Sequence, residues 1–529
     1  MNLYRNFLSV GALTLLSRIA GFVRDALMAA VLGTGPAADA FFAAFRFPNL
    51  FRRLFAEGAF NTAFVPMFAG ALEERGEEGA RELASRILAW LVLFLVVVTI
   101  LAEIYMDTVL IPFVPGFLDD PAKYELTVFL TRLLFPYLAC MSLMAAYAAI
   151  LNSLGKFFAA AFAPVLLNLV SIAALVPLVT FAVQAPEGAA FWVAIATLLG
   201  GIAQLWLVFT ALKRTGMVPK FRLPRLDADV RRFWVLAVPA ILAGGITQIN
   251  IFVGTIIASG AEGAISYIYY ADRLYQLPLG IIGIAIGTVL LPELSRHLRG
   301  NRRGEADRTQ SQALLIAMLL SVPAAAALGA LAEPIVRVLF ERGAFDALAT
   351  RESALTLIGF ALGLPAFVLI RVLQPGFFAR EDTLTPTGFA GVSVVINIAV
   401  SLILFPSLAH IGIALATSVS AWANAFLLFY ALSRRGHLAL VRSEWLRHGG
   451  IVAVSLVMAA VLFALARRAD SIFSPGAALP TQVAALAAIV IFGLVTYFIL
   501  VHITRIQPLG ELLRRLRRPR APQGHAAKS

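Results

Sequence analysis

Apolar runs long enough to cross about 30 Å of hydrocarbon recur along the whole chain, near 8–32, 38–70, 83–111, 123–152, 158–183, 188–213, 229–258 and 264–297, then near 308–330, 351–379, 385–406, 409–434, 446–467 and 480–504. Short polar connections separate them. The pattern predicts an all-α polytopic membrane protein with 14 transmembrane helices. Proline inside several runs, at Pro48, Pro278 and Pro365, predicts kinked or broken helices whose freed backbone groups face protein or water. Only Arg5 precedes the first run, which lacks a small-residue cleavage site and continues past the length of a signal core; it is expected to be the first span.

Composition agrees with the pattern: of 529 residues 60% are hydrophobic and 14% charged, and the mean hydropathy is +0.86. A lone cysteine, Cys140, excludes a disulfide framework or a Cys-based metal site, and His297, His410, His437, His448, His502 and His525 lack ligand spacing. The chain contains no phosphate-binding Gly-Lys-Ser/Thr loop and no nucleophile elbow, so neither ATP hydrolysis nor acyl chemistry has a visible engine. No cofactor or metal is expected.

Charge then orients the spans. With the N-terminus inside, 29 of the 43 Lys and Arg fall in cytoplasmic segments and six, Lys123, Arg337, Arg342, Arg351, Arg467 and Arg468, on the other side. Both termini are therefore expected in the cytoplasm. The net charge of +13 reads as a topology signal and an anchor for anionic lipids rather than as a nucleic-acid footprint, and the tail "RRLRRPR" (514–520) as a membrane-adjacent solvated segment.

Eight arginines remain inside the runs: Arg18, Arg24, Arg46, Arg52, Arg53, Arg132, Arg273 and Arg371. Arg18 and Asp25, seven positions apart, lie on one helix face about 20° apart, and Arg24 flanks them. Arg46 and Arg53 share a face of the second run, where Glu57 can partner Arg53 at i+4. Each arginine at mid-bilayer costs roughly 2.5–3.5 kcal/mol. As a set they are expected to line a hydrated, protein-walled cavity, because Asp25, Asp39 and Glu57 are too few to neutralise them. Internal ion pairs such as Arg24–Asp25, or snorkelling, are the plainer alternative, above all for Arg132 and Arg371. Guanidinium suits phosphate oxygens, whereas a cation exporter needs carboxylates at this depth, so the charge sign selects an anion, a phosphate or diphosphate.

An internal repeat organises these residues. At an offset of 227, "VLGTGPAADAFFAAFRFPNLF" (31–51) lies on "ASGAEGAISYIYYADRLYQLP" (258–278), matching Gly33 with Gly260, Ala37 with Ala264 and Arg46 with Arg273; Gly116 likewise falls on Gly343. An offset spanning six helices predicts parallel repeats, hence two six-helix lobes around a central cavity plus two extra helices. The expected division is 1–220 and 221–440 for the lobes, 441–510 for the extra pair, and 511–529 for the basic tail. Elsewhere, Gly283 and Gly287 form a GxxxG suited to close packing or to a dimer, Gln248 and Asn250 are polar at membrane depth, and 332–347 alternates apolar and charged groups as a surface-lying loop would.

The stretches "SRIAGFVRDA", "DAFFAAFRFPNLFRRLFAEGAFNTAFVP" and "YYADRLYQLPLGIIGIAIGTVLLPELS", with "EDTLTP" at 381–386, resemble the MurJ (MviN) family of bacterial lipid II flippases, within the superfamily that holds the MATE exporters. The resemblance implies alternating-access movement of the undecaprenyl-diphosphate-linked peptidoglycan precursor, lipid II, to the outer leaflet of the inner membrane by a non-enzymatic, monomeric transporter. It implies that Arg18, Arg24, Arg52, Arg53 and Arg273 grip the diphosphate head group, with Ser17, Asp25, Asp39 and Glu57 gating or orienting them, and that the last two helices form a groove for the lipid tail. Some members carry a sodium site, but no constellation in this sequence matches one. A MATE-like drug–cation antiporter and a non-transporting membrane scaffold remain the competing readings.

Overall fold

The structure is a computed structural model describing residues 3–53, 60–180, 186–220, 222–474 and 477–506. Among these the regular elements are all helical: α1 (Leu3–Leu32), α2 (Pro36–Phe51), α3 (Phe60–Val109), α4 (Pro121–Leu134), α5 (Pro136–Ser153), α6 (Phe158–Thr180), α7 (Pro186–Lys213), α8 (Ala228–Ala258), α9 (Ala264–Arg299), α10 (Arg303–Ala330), α11 (Ala332–Phe340), α12 (Ala347–Ala361), α13 (Leu364–Phe378), α14 (Leu384–Arg434), α15 (Arg442–Arg468) and α16 (Leu479–Ile503). Nine helical stretches among the described residues are long and apolar enough to cross a membrane, from Ala63–Val109 to Leu479–Ile503.

Local chemistry explains the boundaries. Proline opens α2, α4, α5 and α7, where its missing N–H has no helical partner to lose. Pro136 thereby splits the run expected at 123–152, and Gly363 with Pro365 splits that at 351–379. The run expected at 38–70 is met as α2 and the start of α3; residues 54–59, with Glu57, lie outside the described residues. Two long helices each contain one non-helical residue, Gly76 (φ 67°) in α3 and Ala409 (φ 43°) in α14, so each is a pair of helices joined at a sharp break. Gly76 falls within the charged connection "EERGEEGAR", and Ala409 at the junction expected between 406 and 409. The segment 332–347 folds in part into α11, with Val336 and Val338 buried and Arg337 paired to Glu333 at 2.7 Å.

The chain groups into two compact units: one holds residues to Asp272 with Leu339–Thr356 and Val394–Ala416, the other Arg273–Val338, Leu357–Ser393 and the chain from Thr417 onward. In the first, α1 packs on α6, α6 on α7, α2 on α4, and α3 on α5 and α8. Its core gathers Phe64, Phe68, Leu83, Ile87, Ile150 and Leu212. In the second, α10 packs on α13 and α15, and α15 on α16, around Leu319, Ile451, Met458, Leu462 and Tyr497, whose hydroxyl donates to the Leu319 carbonyl at 2.8 Å. Gly283 accepts this kind of close packing: a Cβ there would lie 2.5 Å from Cδ of Arg371. Outward faces stay apolar, as with Ile491, Phe492, Leu494, Val495 and Ile499 on α16, which suits a hydrocarbon solvent.

Candidate functional site: the arginines of α1 and α2

The helical spacing that puts Arg18, Arg24 and Asp25 along α1 is realised within the first unit. Arg24 donates to Oδ1 of Asp25 from Nη2 at 2.8 Å and from Nε at 3.2 Å. The same oxygen accepts the Tyr269 hydroxyl at 3.2 Å, which ties α1 to the start of α9. Asp25 is nearly buried, with 6% of its side chain exposed against 17% for Arg24. Arg18 is exposed and forms no ion pair with a described residue. The Ser17 carbonyl accepts from Nδ2 of Asn168 at 2.9 Å, fixing α1 against α6.

On α2, Arg46 donates to the Thr255 hydroxyl at 2.6 Å, and Nε of Arg52 to Oδ1 of Asn49 at 2.8 Å. Arg52 is half-buried and Arg53 exposed. Arg273, on α9, is half-buried in the second unit. Arg132 pairs with Asp107 at 2.7 Å, the plain ion-pair alternative. The polar pair on α8 is half-buried, and Oδ1 of Asn250 has no hydrogen-bond partner among the described residues.

Asp39 has a different environment. It is fully buried in the first turn of α2, where the helix dipole favours an anion. It accepts from Nζ of Lys123 at 2.9 Å, the Gly263 amide at 2.8 Å, the Ser266 amide at 3.0 Å and the Ser266 hydroxyl at 2.6 Å. Its charge is thus matched by Lys123 and does not offset the arginines.

Sequence reasoning counted Lys123 only toward the topology and named neither Ser266 nor Tyr269, yet the repeat offset contains the last two. Ser266 is the 227-shifted counterpart of Asp39, and Tyr269 that of Phe42, whose rings stack with centroids 3.9 Å apart. A further contact in the same unit recurs at nearly the same shift. Gly33 abuts Ala344, whose amide donates to the Ala30 carbonyl at 2.8 Å; its counterpart Gly260 lies beside Gly116, one position before the counterpart of Ala344, and the Gly116 amide donates to Oγ of Ser259 at 3.0 Å. A Cβ on Gly33 would lie 2.4 Å from the Ala344 carbonyl oxygen, and one on Gly116 2.3 Å from that of Ser259, so these positions require glycine. No group of His, Cys, Asp and Glu that could hold a metal occurs among the described residues.

A chain whose described regular elements are all helical, several of them long and apolar enough to cross a membrane, with cationic side chains on the first two, has the build of a multi-pass membrane transporter. A multidrug-resistance MATE transporter of the MOP superfamily, solved in an inward-facing conformation, shares the fold, with a TM-score of 0.65 at 16% identity over 81% of this chain and 97% of that one. The family described as lipid II flippase MurJ matches residues 28–499, and the chain belongs to that family. A probable lipid II flippase MurJ of Rhizobium tropici is 46% identical over 100% of this chain and 99% of its own length. A solved lipid II flippase MurJ, in an inward closed conformation, superposes with a TM-score of 0.78 at 26% identity, covering 96% of this chain and 99% of that one.

Proposed function

We propose that the chain carries lipid II from the cytoplasmic to the outer leaflet by alternating access. Arg18, Arg24, Arg52 and Arg53 bind the diphosphate head group, and Arg273, the repeat counterpart of Arg46, adds a further contact to it. The observation that carries the arginine assignment is the neutralisation of Asp39 by Lys123 at 2.9 Å, which leaves the positive excess on α1 and α2 for an anionic substrate. Asp25 and Ser17 orient the α1 arginines, and Asp39 secures the entry of α2 against α4 and α9. Glu57 is assigned beside Arg53 from its spacing. We assign fourteen crossings, as two six-helix repeats over 1–220 and 221–440 followed by a pair of helices for the lipid tail over 441–510; the even number puts both termini on one side, and the Lys and Arg count makes that side, with the basic tail 511–529, the cytoplasm.

Purified protein in liposomes that contain fluorescent lipid II tests the substrate. Protein-dependent loss of protection from an external quencher is expected, and no flipping by well-folded protein refutes the reading. Arg24→Ala and Arg273→Ala, at wild-type expression, are expected to reduce the flipping rate at least about tenfold, equivalent to about 1.4 kcal/mol of binding. Unchanged rates would refute the assigned head-group contacts while leaving the substrate standing.

A further inference from the structure

We propose that the polar cavity at the ends of α10, α13 and α14 in the second unit is a binding site for a phosphorylated polyol, glycerol phosphate or the same group as a phospholipid head. The cavity is about 410 Å³ and is lined by Asn301, Arg303, Asp307, Arg380, Arg435 and His437. Three guanidinium groups reach it from three elements: Arg303 opens α10, Arg380 follows α13 and Arg435 follows α14. Two are fixed in place. Arg435 is held by Asp382 at 2.6 Å and the Thr385 hydroxyl at 3.1 Å, and Arg380 donates to the Gly376 carbonyl at 2.7 Å. Arg303 is exposed and forms no ion pair with a described residue.

Two atoms of the lining lack the partners that buried polar groups require. Oδ1 of Asp307 is buried with no hydrogen bond, 3.6 Å from Nη2 of Arg380 and so beyond hydrogen-bond reach; Nδ1 of His437 is buried and equally orphaned. Burial first, and then the Arg380 charge, push the His437 imidazole below its ordinary value, so near neutral pH it is an uncharged donor or acceptor. A ligand that completes this site carries both kinds of group. Phosphate oxygens take the guanidinium donors, and hydroxyls donate to Asp307 and pair with His437. Inorganic phosphate can offer Asp307 only a P–OH, which brings its negative charge up against the carboxylate and leaves no hydroxyl for His437. Basic pockets at helix ends on the cytoplasmic side are suited to lipid head groups, and the site bears on the flippase reading only through the orientation proposed above.

The test uses full-length protein in phosphatidylcholine nanodiscs, with radiolabelled glycerol 3-phosphate and inorganic phosphate as probes in equilibrium binding. Wild type is expected to bind glycerol phosphate about tenfold more tightly than inorganic phosphate. The double variant Arg303→Gln/Arg380→Gln is expected to weaken both by at least that factor. Asp307→Asn is expected to weaken glycerol phosphate yet strengthen inorganic phosphate, a gain that misfolding does not produce. Adding phosphatidylglycerol to the disc separates the sources: displacement of the soluble probe assigns the site to the lipid head, and undiminished probe binding assigns it to the soluble phosphate. Absence of binding to wild type with either probe in either disc overturns the proposal, as does wild-type affinity in the double variant. Lipid II movement is not read in any arm, so such a failure leaves the flippase reading intact.

Discussion

At the scale of single residues, buried charge decides what the first unit tolerates. Asp39 is 0% exposed and Lys123 8% exposed, with four donors converging on the carboxylate. Removing one member of such a pair leaves the other buried without a counter-charge, which costs about 3–5 kcal/mol. Asp39→Ala is therefore expected to lower the melting temperature of the purified protein sharply, and Asp39→Ala/Lys123→Met to recover part of the loss; equal melting of the single variant and wild type contradicts this. Gly116→Ala is expected to destabilise as well, since its methyl would meet the Ser259 carbonyl at 2.3 Å and backbone cannot give way cheaply. A thermal melt checks it, against Gly70→Ala, a helical glycine with open space around it and no positive φ. The sequence makes part of this legible. Adjacent Arg24 and Asp25 pair as their positions suggest, and helical spacing puts Arg18 on their face. Spacing along one helix fixes a face but not its distant partner, so Lys123, 84 positions from Asp39, has no local signal. Ser266 and Tyr269 differ because the repeat carries their register.

At the scale of elements, the α14 hairpin shows how its two ends are held. Asp382 accepts the Thr385 amide at 3.0 Å, capping the start of the helix, and pairs with Arg435 just beyond its end at 2.6 Å. The bond from Thr385, followed by that from Arg435, holds the Asp382 carboxyl at about 2, below the ordinary carboxylate value of about 3.9. A depressed folded-state value adds stability that is complete above the unfolded value and lost as pH falls through the folded one. Asp382 is thus expected to contribute at pH 6 and to lose its contribution between about pH 4 and pH 2; screening at this surface limits it to about 1 kcal/mol. Melting of Asp382→Asn against wild type at pH 6 and pH 2.5 should show a gap that closes in acid, and a gap independent of pH contradicts the assignment. At the other end of the hairpin, Ala409 holds φ at 43°, a conformation that costs a side chain about 1–2 kcal/mol. Ala409→Gly is expected to raise the melting temperature, and a fall would show that the methyl group packs usefully. The hydropathy gap between 406 and 409 marks this break, although no glycine announces it. The split at Pro136 is less legible because the apolar run continues across it, and only proline chemistry, not hydrophobicity, ends the helix there.

At the scale of the whole molecule, the proposed outward movement of an anion raises the question of its driving force, since the sequence contains no phosphate-binding Gly-Lys-Ser/Thr loop. The charge count assigns 29 Lys and Arg to the cytoplasmic side and six to the other, which sets the direction in which the membrane potential acts under the proposed topology. Under the proposed alternating access the arginines would stay with the protein while the head group crosses, so the charge transferred would be that of the substrate. A diphosphate carrying two negative charges gains about 4–5 kcal/mol from 100 mV, negative inside, at about 2.3 kcal/mol per charge. That corresponds to a leaflet ratio of about three powers of ten, with no other energy source. In proteoliposomes with a potassium gradient clamped by valinomycin, labelled lipid II is expected to accumulate in the leaflet on the positive side, and reversing the gradient is expected to reverse the accumulation. Equal partition under both signs would mean that two positive charges, as two monovalent cations or one divalent one, move with each head group and cancel its charge. The arginines would then serve binding alone, and the energy would have to come from the gradient of those cations.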